Sequence, residues 1–366
     1  MTQQLEAPTE DAPVDFGYDA RVLRARPFSF RVHLRIAGIS ALLFTLAILL
    51  GLLAMRYGEY PLTLEEVVAA FLGREVEGPA SMIVLEWRAP IVVAALVFGA
   101  LLAMGGAIFQ SLTRNPLGSP DIIGFDAGSY TAVVVTIILL GNRSYWTIAS
   151  GSLIGGLLTA FVVYVLAYRR GIQGFRLIIV GIGVTAILGS LNSYLITRAD
   201  LEDAMTVGFW GAGSLSRVTW ASMVPSLMVA LVIVLACTLL AGPLRRLELG
   251  DDTAVTHGTR VGLVRLLLIV VGVATTALVT AAAGPIGFIA LVAPQIARRL
   301  TRSAGVSVLA SAAMGSALLT GAHLASLVIA QAYRPIPVGL ITVCVGGTYL
   351  IWLLVREARK HYGVPV

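Results

Sequence analysis

The sequence predicts an all-α, polytopic membrane protein with about ten transmembrane helices, and three observations predict it. Segments 38–55, 90–112, 147–168, 177–196, 218–241, 263–283, 306–329 and 337–355 are apolar and almost free of charge. Each is close to the roughly 20 helical residues that cross a hydrocarbon core about 30 Å thick. The chain of 366 residues is 57% hydrophobic and only 13% charged, where a soluble domain carries about 25% charged residues. The surplus of apolar residues must face lipid. The net charge of +6 is spread along the chain. With the N-terminus inside and the spans alternating, 19 of the 26 basic residues fall on the inner side. They run from Arg21 and Arg35 through Arg114, Arg245, Arg246, Arg298 and Arg299 to Arg359 and Lys360. Arg56, Arg74, Arg88, Arg143, Arg198, Arg217 and Arg334 remain outside. This is the positive-inside bias, and it removes the reason to invoke a nucleic-acid partner. Both termini are expected in the cytoplasm.

The elements follow in order. Residues 1–37 read as a cytosolic tail, largely disordered. Its first twenty residues hold five acids and no base, and residues 21–35 hold five arginines. This is not the layout of a secretory signal. It fits an acidic tail followed by a basic segment on the anionic inner leaflet. Residues 38–358 form the transmembrane domain, and 359–366 a cytosolic tail. In the outer loop 56–88, Thr63 and Glu66 have capping-box spacing. Leu64, Val67, Val68, Phe71 and Leu72 repeat with helical period, and Gly73 stops the run, so a short amphipathic helix is expected flat at the interface. Ser119, Pro120 and Asp121 look like the cap, first residue and acidic first turn of a short span running to about Leu140. Between Arg198 and Leu215 an acidic surface helix and turn are expected, anchored by Trp210. Another short span is broken at Gly284-Pro285 and continues through Pro294 to Arg298-Arg299. Irregular backbone at membrane depth is tolerated against protein or a water-filled cavity. The two short spans therefore either line a pathway or are kinked by packing.

Few residues carry chemistry. Cys237 and Cys344 lie in apolar spans and read as small buried hydrophobes. The four histidines are scattered singly, so no metal site is expected. A P-loop needs Gly-Lys-Ser/Thr, and the only lysine is Lys360, between Arg359 and His361. If ATP drives this chain, another chain binds it. No acid is expected at membrane depth, unlike in ion-driven transporters, so the energy source is expected to lie outside the membrane domain. Proton-coupled secondary transport is the alternative. His323 lies one turn before Ser326; without an orienting acid or oxyanion site, it reads as a histidine bonded to a neighbouring helix rather than half of a hydrolase. Gly181, Thr185, Gly189 and Ser193 share a helix face, as do Gly99, Ala103 and Ala107. Such stripes serve close helix packing or a smooth pathway wall. In the segment 244–260, Gly250 divides two short helices, Asp251 or Asp252 can cap the second, and Gly258 ends it. That pattern suits either docking into a partner's groove or a plain capped loop.

Four strings carry a family resemblance together. They are Arg114-Asn-Pro-Leu-Gly-Ser-Pro-Asp-Ile-Ile-Gly124, Phe175-Arg-Leu-Ile-Ile-Val-Gly-Ile-Gly183, Leu247-Glu-Leu-Gly-Asp-Asp-Thr-Ala254 and Ala283-Gly-Pro-Ile-Gly-Phe-Ile-Ala-Leu-Val-Ala-Pro294. The chain resembles the FecCD/BtuC-type permeases of ABC importers for iron chelates and cobalamin, over about residues 38–358. Within them it is most similar to the ferric-enterobactin kind. The resemblance implies a ten-helix, BtuC-like permease of the cell inner membrane that is not an enzyme. It implies a second, related permease subunit, two cytosolic ATPase subunits carrying ATP and magnesium, and an external binding protein. The cargo it implies is a catecholate, enterobactin-like ferric siderophore; haem and cobalamin are alternative chelates. The chain itself would bind no cofactor. Leu247, Glu248, Leu249, Gly250, Asp251, Asp252, Thr253, His257 and Gly258 would couple to the ATPase. Arg88 would meet the binding protein, although Ile91 stands where the family pattern has a second arginine. Gly174 and Phe175 fall at the family's cytoplasmic gate. Gln295 stands where a histidine is usual, and His323 where an acid is common.

Overall fold

Every apolar segment named above becomes a helix. The computed structural model describes residues 20–25, 28–74, 78–167 and 174–361. Two strands come first, β1 (Ala20–Ala25) and β2 (Phe28–His33), paired antiparallel with Ala20 opposite His33. The basic segment is thus a hairpin. Its second strand alternates Phe28, Phe30 and Val32 with Ser29, Arg31 and His33, the two-residue period of a strand. Residues 1–19 lie outside the described residues.

The helices are α1 (Leu34–Ala54), α2 (Leu64–Phe71), α3 (Ala80–Met82), α4 (Ala89–Thr113), α5 (Phe125–Ile138), α6 (Tyr145–Ala167) and α7 (Gly174–Arg198). They continue as α8 (Leu201–Gly211), α9 (Trp220–Glu248), α10 (Asp251–Thr256), α11 (Val261–Ala283), α12 (Ile289–Thr301), α13 (Val308–Ala332) and α14 (Val338–His361). A π-helical turn, Ile83–Arg88, joins α3 to α4. Among the described residues, eight helices are long and apolar enough to cross a bilayer.

The core lies around α4, which packs on α9, α11, α12 and α13. Phe98, Leu101, Leu102, Ile108 and Phe109 of α4 are fully buried. The Gly99, Ala103 and Ala107 stripe is a packing face. A Cβ on Gly99 would strike the carbonyl of Gly315 in α13, and one on Gly315 would strike that of Gly99. Ser316 fastens the same contact by donating to the Leu96 carbonyl at 2.7 Å. α7 and α14 are the opposite case. They hold Ile182, Ile187, Leu191, Leu340, Val345 and Ile351 exposed.

α5 and α12 are short, 14 and 13 residues. At 1.5 Å per residue each spans only about 20 Å, less than a bilayer core. Irregular backbone fills the remainder. Here the structure corrects the sequence reading. Residues 120–124 are turns, and α5 begins at Phe125 behind Gly124, which is left-handed at φ 89°. Asp121 does not serve its own helix. Its Oδ2 accepts the Phe288 N–H at 2.8 Å, at the head of α12. The two broken segments therefore meet inside the bundle, and a carboxylate from one satisfies a backbone donor of the other.

The expected amphipathic helix is α2. The Thr63 hydroxyl accepts the Glu66 N–H at 3.2 Å, and Glu66 accepts the Thr63 N–H at 2.7 Å. Val67 and Ala70 are buried while Leu64, Val68, Phe71 and Leu72 stay exposed. α8 is the expected surface helix, and Trp210 anchors it by donating to the Thr280 carbonyl at 2.9 Å.

Candidate functional site

At the end of the bundle where α4 and α9 finish, the predicted coupling residues sort into two sets. The first expected short helix is the end of the 29-residue α9. Gly250 breaks it with φ 122° and ψ 154°, a conformation essentially confined to glycine. α10 then starts at Asp251 with no side-chain cap. Neither aspartate caps it as the sequence suggests, because Asp251 is committed to ion pairs. Its carboxylate takes Arg265 Nη2 of α11 at 3.0 Å and Arg114 Nη2, just past α4, at 3.2 Å. Arg114 also donates to the Leu247 carbonyl at 3.0 Å. Glu248 accepts a hydrogen bond from Ser111 at 2.5 Å. Leu247 and Ala254 are buried beneath. These residues fix the platform.

The second set faces out. Leu249 is 71% exposed and Val255 61%, with Asp252, His257 and Gly258 exposed beside them and Thr253 half-buried. The His257 ring is held by Nδ1 against the Thr253 carbonyl at 2.7 Å. Val255 was not singled out from the sequence. Its spacing of three from Asp252 puts those two on one face of α10, while Leu249 stands exposed on the other side of the Gly250 break.

Inside the bundle the structure overturns the expectation of no acid at depth. Asp126, in the first turn of α5, is 7% exposed, with Asp121 and Thr276 as its near polar neighbours. Gln295 is also placed. Its Nε2 donates to Gln110 Oε1 at 2.6 Å, and Gln110 Nε2 donates to the Leu291 carbonyl at 2.9 Å. Both amides are buried. This pair ties α12 to α4.

The four-residue stripe of α7 divides. Gly181 abuts the Ile123 carbonyl and Thr185 lies against Gly124, so that half packs on the head of α5. Gly189 has open space beside it and Ser193 is exposed. The backbone of Gly174 and Phe175 starts α7, but their side chains, and residues 168–173, lie outside the described residues. Cys237 is buried as expected; Cys344 is exposed on α14, and both are free thiols.

At the opposite end of the bundle, Arg88 turns inward. Its guanidinium donates to the carbonyls of Met55 and Tyr60, closing the end of α1 and the loop after it. Arg143 is paired with Glu202 at 2.8 Å and Asp203 at 2.6 Å, which hold its pKa above the usual arginine value. The Glu66 carboxyl is held below its usual range by the Thr63 N–H and then the Thr63 hydroxyl. Two cavities of about 710 and 570 Å³ open here and share Gly58, Glu59, His323 and Leu327. The His-Ser arrangement is not a catalytic pair. Ser326 donates to the Ile336 carbonyl at 2.5 Å, and His323, 8% exposed, bonds to no neighbouring helix among the described residues.

Comparison with known proteins follows the same outline. The FecCD transport family matches residues 46–356. The ferric enterobactin transport system permease protein FepG of Escherichia coli (strain K12) is 45% identical over 319 residues, covering 87% of this chain and 96% of that one. The iron(3+)-hydroxamate import system permease protein FhuG of Bacillus subtilis (strain 168) is 34% identical over 330 residues, with 87% and 96% covered. A solved inward-facing structure, described as a metal-chelate type ABC transporter, superposes with a TM-score of 0.72 at 24% identity. It covers 88% of this chain and 99% of that one.

Proposed function

This chain belongs to the FecCD transport family, and we infer that it is the membrane-spanning permease subunit of an importer for ferric catecholate siderophores. It is a transporter component and not an enzyme. The observation that carries the cargo is the 45% identity to a ferric enterobactin permease across nearly the whole length of both chains. A ferric hydroxamate is the second reading, favoured by the 34% identity to a hydroxamate permease.

The exposed side chains of Leu249, Asp252 and Val255 on either side of the Gly250 break support docking of a cytosolic ATPase. Two apolar side chains held out to water beside an acid suit insertion into a groove on a partner. The exposed apolar side chains of α7 and α14 support pairing with a second permease, the cargo passing between the two. The excess of arginine near α1, α12 and α14 supports a cytoplasmic placement of both termini. An external binding protein would deliver the chelate at the end that holds the two cavities. Asp126 does not favour an ion-driven route. It is enclosed among α5 and α11, and the relatives are permeases of import systems.

The test is reconstitution of the chain with its second permease, ATPase and binding protein in liposomes, followed by uptake of radioiron-labelled ferric enterobactin and of a ferric hydroxamate. ATP-dependent uptake of the catecholate, faster than that of the hydroxamate, is expected. Uptake driven by a proton gradient without ATPase would refute the reading.

A further inference from the structure

One side chain that the reading above leaves without a role is His323. It lies in α13, more than nine-tenths buried, with no hydrogen-bond partner among the described residues. Its ring nitrogens are not sealed away from solvent, so they open onto the cavities around them. Its location shows what it is free for. His323 lines both cavities at the end of the bundle opposite the termini. The larger, about 710 Å³, falls in the range of small-molecule sites, roughly 300–1,000 Å³. Its walls are mainly apolar, supplied by α8, by α13 and by the prolines that lead into α14, with Ser216, Ser326 and Gln331 as polar points. Arg217 and Glu59, one of each charge, are both exposed residues of its lining. His323 is the one buried ionisable side chain in either lining.

An apolar slot with one buried donor is the complement of an aromatic ring edged by oxygen acceptors. It is a poor complement to a small, strongly hydrated ion, which has no apolar surface to bury. On the functional reading above, on which this inference rests, the cargo has that chemistry. A catecholate arm is a flat ring whose oxygens carry negative charge. We propose that this cavity is the first binding site in the permease for a ferric catecholate, and that His323 donates a hydrogen bond to its ring oxygens. The imidazole donates in its neutral form as well as when charged, so the contact needs no change of protonation. Ser326 is unavailable for this role, since its hydroxyl proton is committed to the Ile336 carbonyl.

The test uses the complete reconstituted transporter and ferric enterobactin as probe, reading KM and maximal uptake rate separately. Loss of one hydrogen bond to a charged acceptor in His323→Ala is expected to raise KM about tenfold and to lower the maximal rate less. His323→Gln, which keeps a donor, should recover part of the loss. Ala330→Trp fills the same cavity from its wall without touching His323. It should raise KM as well, and it carries the test if the His323 variants fail to assemble with the ATPase. Wild-type uptake with KM unchanged in His323→Ala or Ala330→Trp overturns the site. Failure of the wild-type complex to import ferric enterobactin overturns the functional reading instead.

Discussion

Asp251 is the residue whose replacement separates holding the platform from touching a partner. Its carboxylate joins Arg265 at 3.0 Å and Arg114 at 3.2 Å, so it links the start of α10 to the end of α4 and to α11. The side chains are not deeply buried: Asp251 is 48% exposed, Arg114 52% and Arg265 20%. Solvent screening therefore limits each pair to the surface range, about 0.2–1 kcal/mol, with Arg265 near the top. Asp251→Asn should cost about 1–1.5 kcal/mol in all. Asp251→Arg should cost more, because three guanidinium groups then share one corner. The decisive measurement is a double-mutant cycle in detergent-solubilised protein, using Asp251→Arg and Arg265→Asp singly and together and reading thermal unfolding. If the pair is a strut, the double variant recovers stability, with a coupling of at least about 0.5 kcal/mol. The same variants should lose ATPase co-purification in proportion to their loss of stability. Additive effects within about 0.3–0.5 kcal/mol would show that the two groups do not act as a pair, and the strut argument fails.

Three further outcomes follow from local geometry. Gln295→Leu strands the Oε1 of Gln110 in the core and should destabilise the bundle by about 1–3 kcal/mol, whereas Gln110→Leu combined with Gln295→Leu should recover most of that in a thermal melt. Gly250→Ala forces a Cβ into a backbone conformation near φ 122° and should cost about 1–3 kcal/mol, visible as weaker ATPase binding with the membrane helices still protected from proteolysis. Glu66 has its carboxyl pKa lowered by the Thr63 cap, so its stabilisation of α2 is full above the ordinary value of 4.5 and is lost as pH falls through the lower folded value. Hydrogen exchange in α2 should accelerate on acidification in wild type, and protection in Glu66→Gln should be weaker at neutral pH and nearly independent of pH.

What the sequence disclosed is what short-range chemistry controls. The long spans were legible because burial in lipid is set by local composition. The α2 capping box was legible because Thr63 and Glu66 stand three apart, and the turn at Gly250 because only glycine occupies that conformation readily. What stayed hidden depends on partners far along the chain. Asp121 has the spacing of a helix-start residue, and nothing nearby reveals that it serves Phe288, 167 positions on. Arg88 reads as a surface charge until Met55 and Tyr60 are seen to offer it their carbonyls. Asp126 escaped notice because one acid in a short apolar run barely alters its hydropathy. His323 could be flagged as odd, but a cavity assembled from α8, α13 and two loops has no signature in any one segment.

The structure also supplies a contact route between α10 and the broken segments. α10 begins at Asp251. Asp251 holds Arg114, and Arg114 heads the irregular run that ends at Gly124. Seven residues after Arg114, Asp121 holds the Phe288 N–H at the start of α12. A displacement of α10 therefore need not be relayed through the tightly packed α4–α13 core, where glycine backbones already touch. It can act on a segment of turns, residues 114–124. Contact alone does not establish coupling between sites; that takes an element with two arrangements that both ends bias. The segment 114–124 has the right construction for such an element. It is built of turns, tied at Arg114 by an ion pair that solvent can exchange and at Asp121 by the Phe288 N–H, while Ile123 and Gly124 pack it against α7.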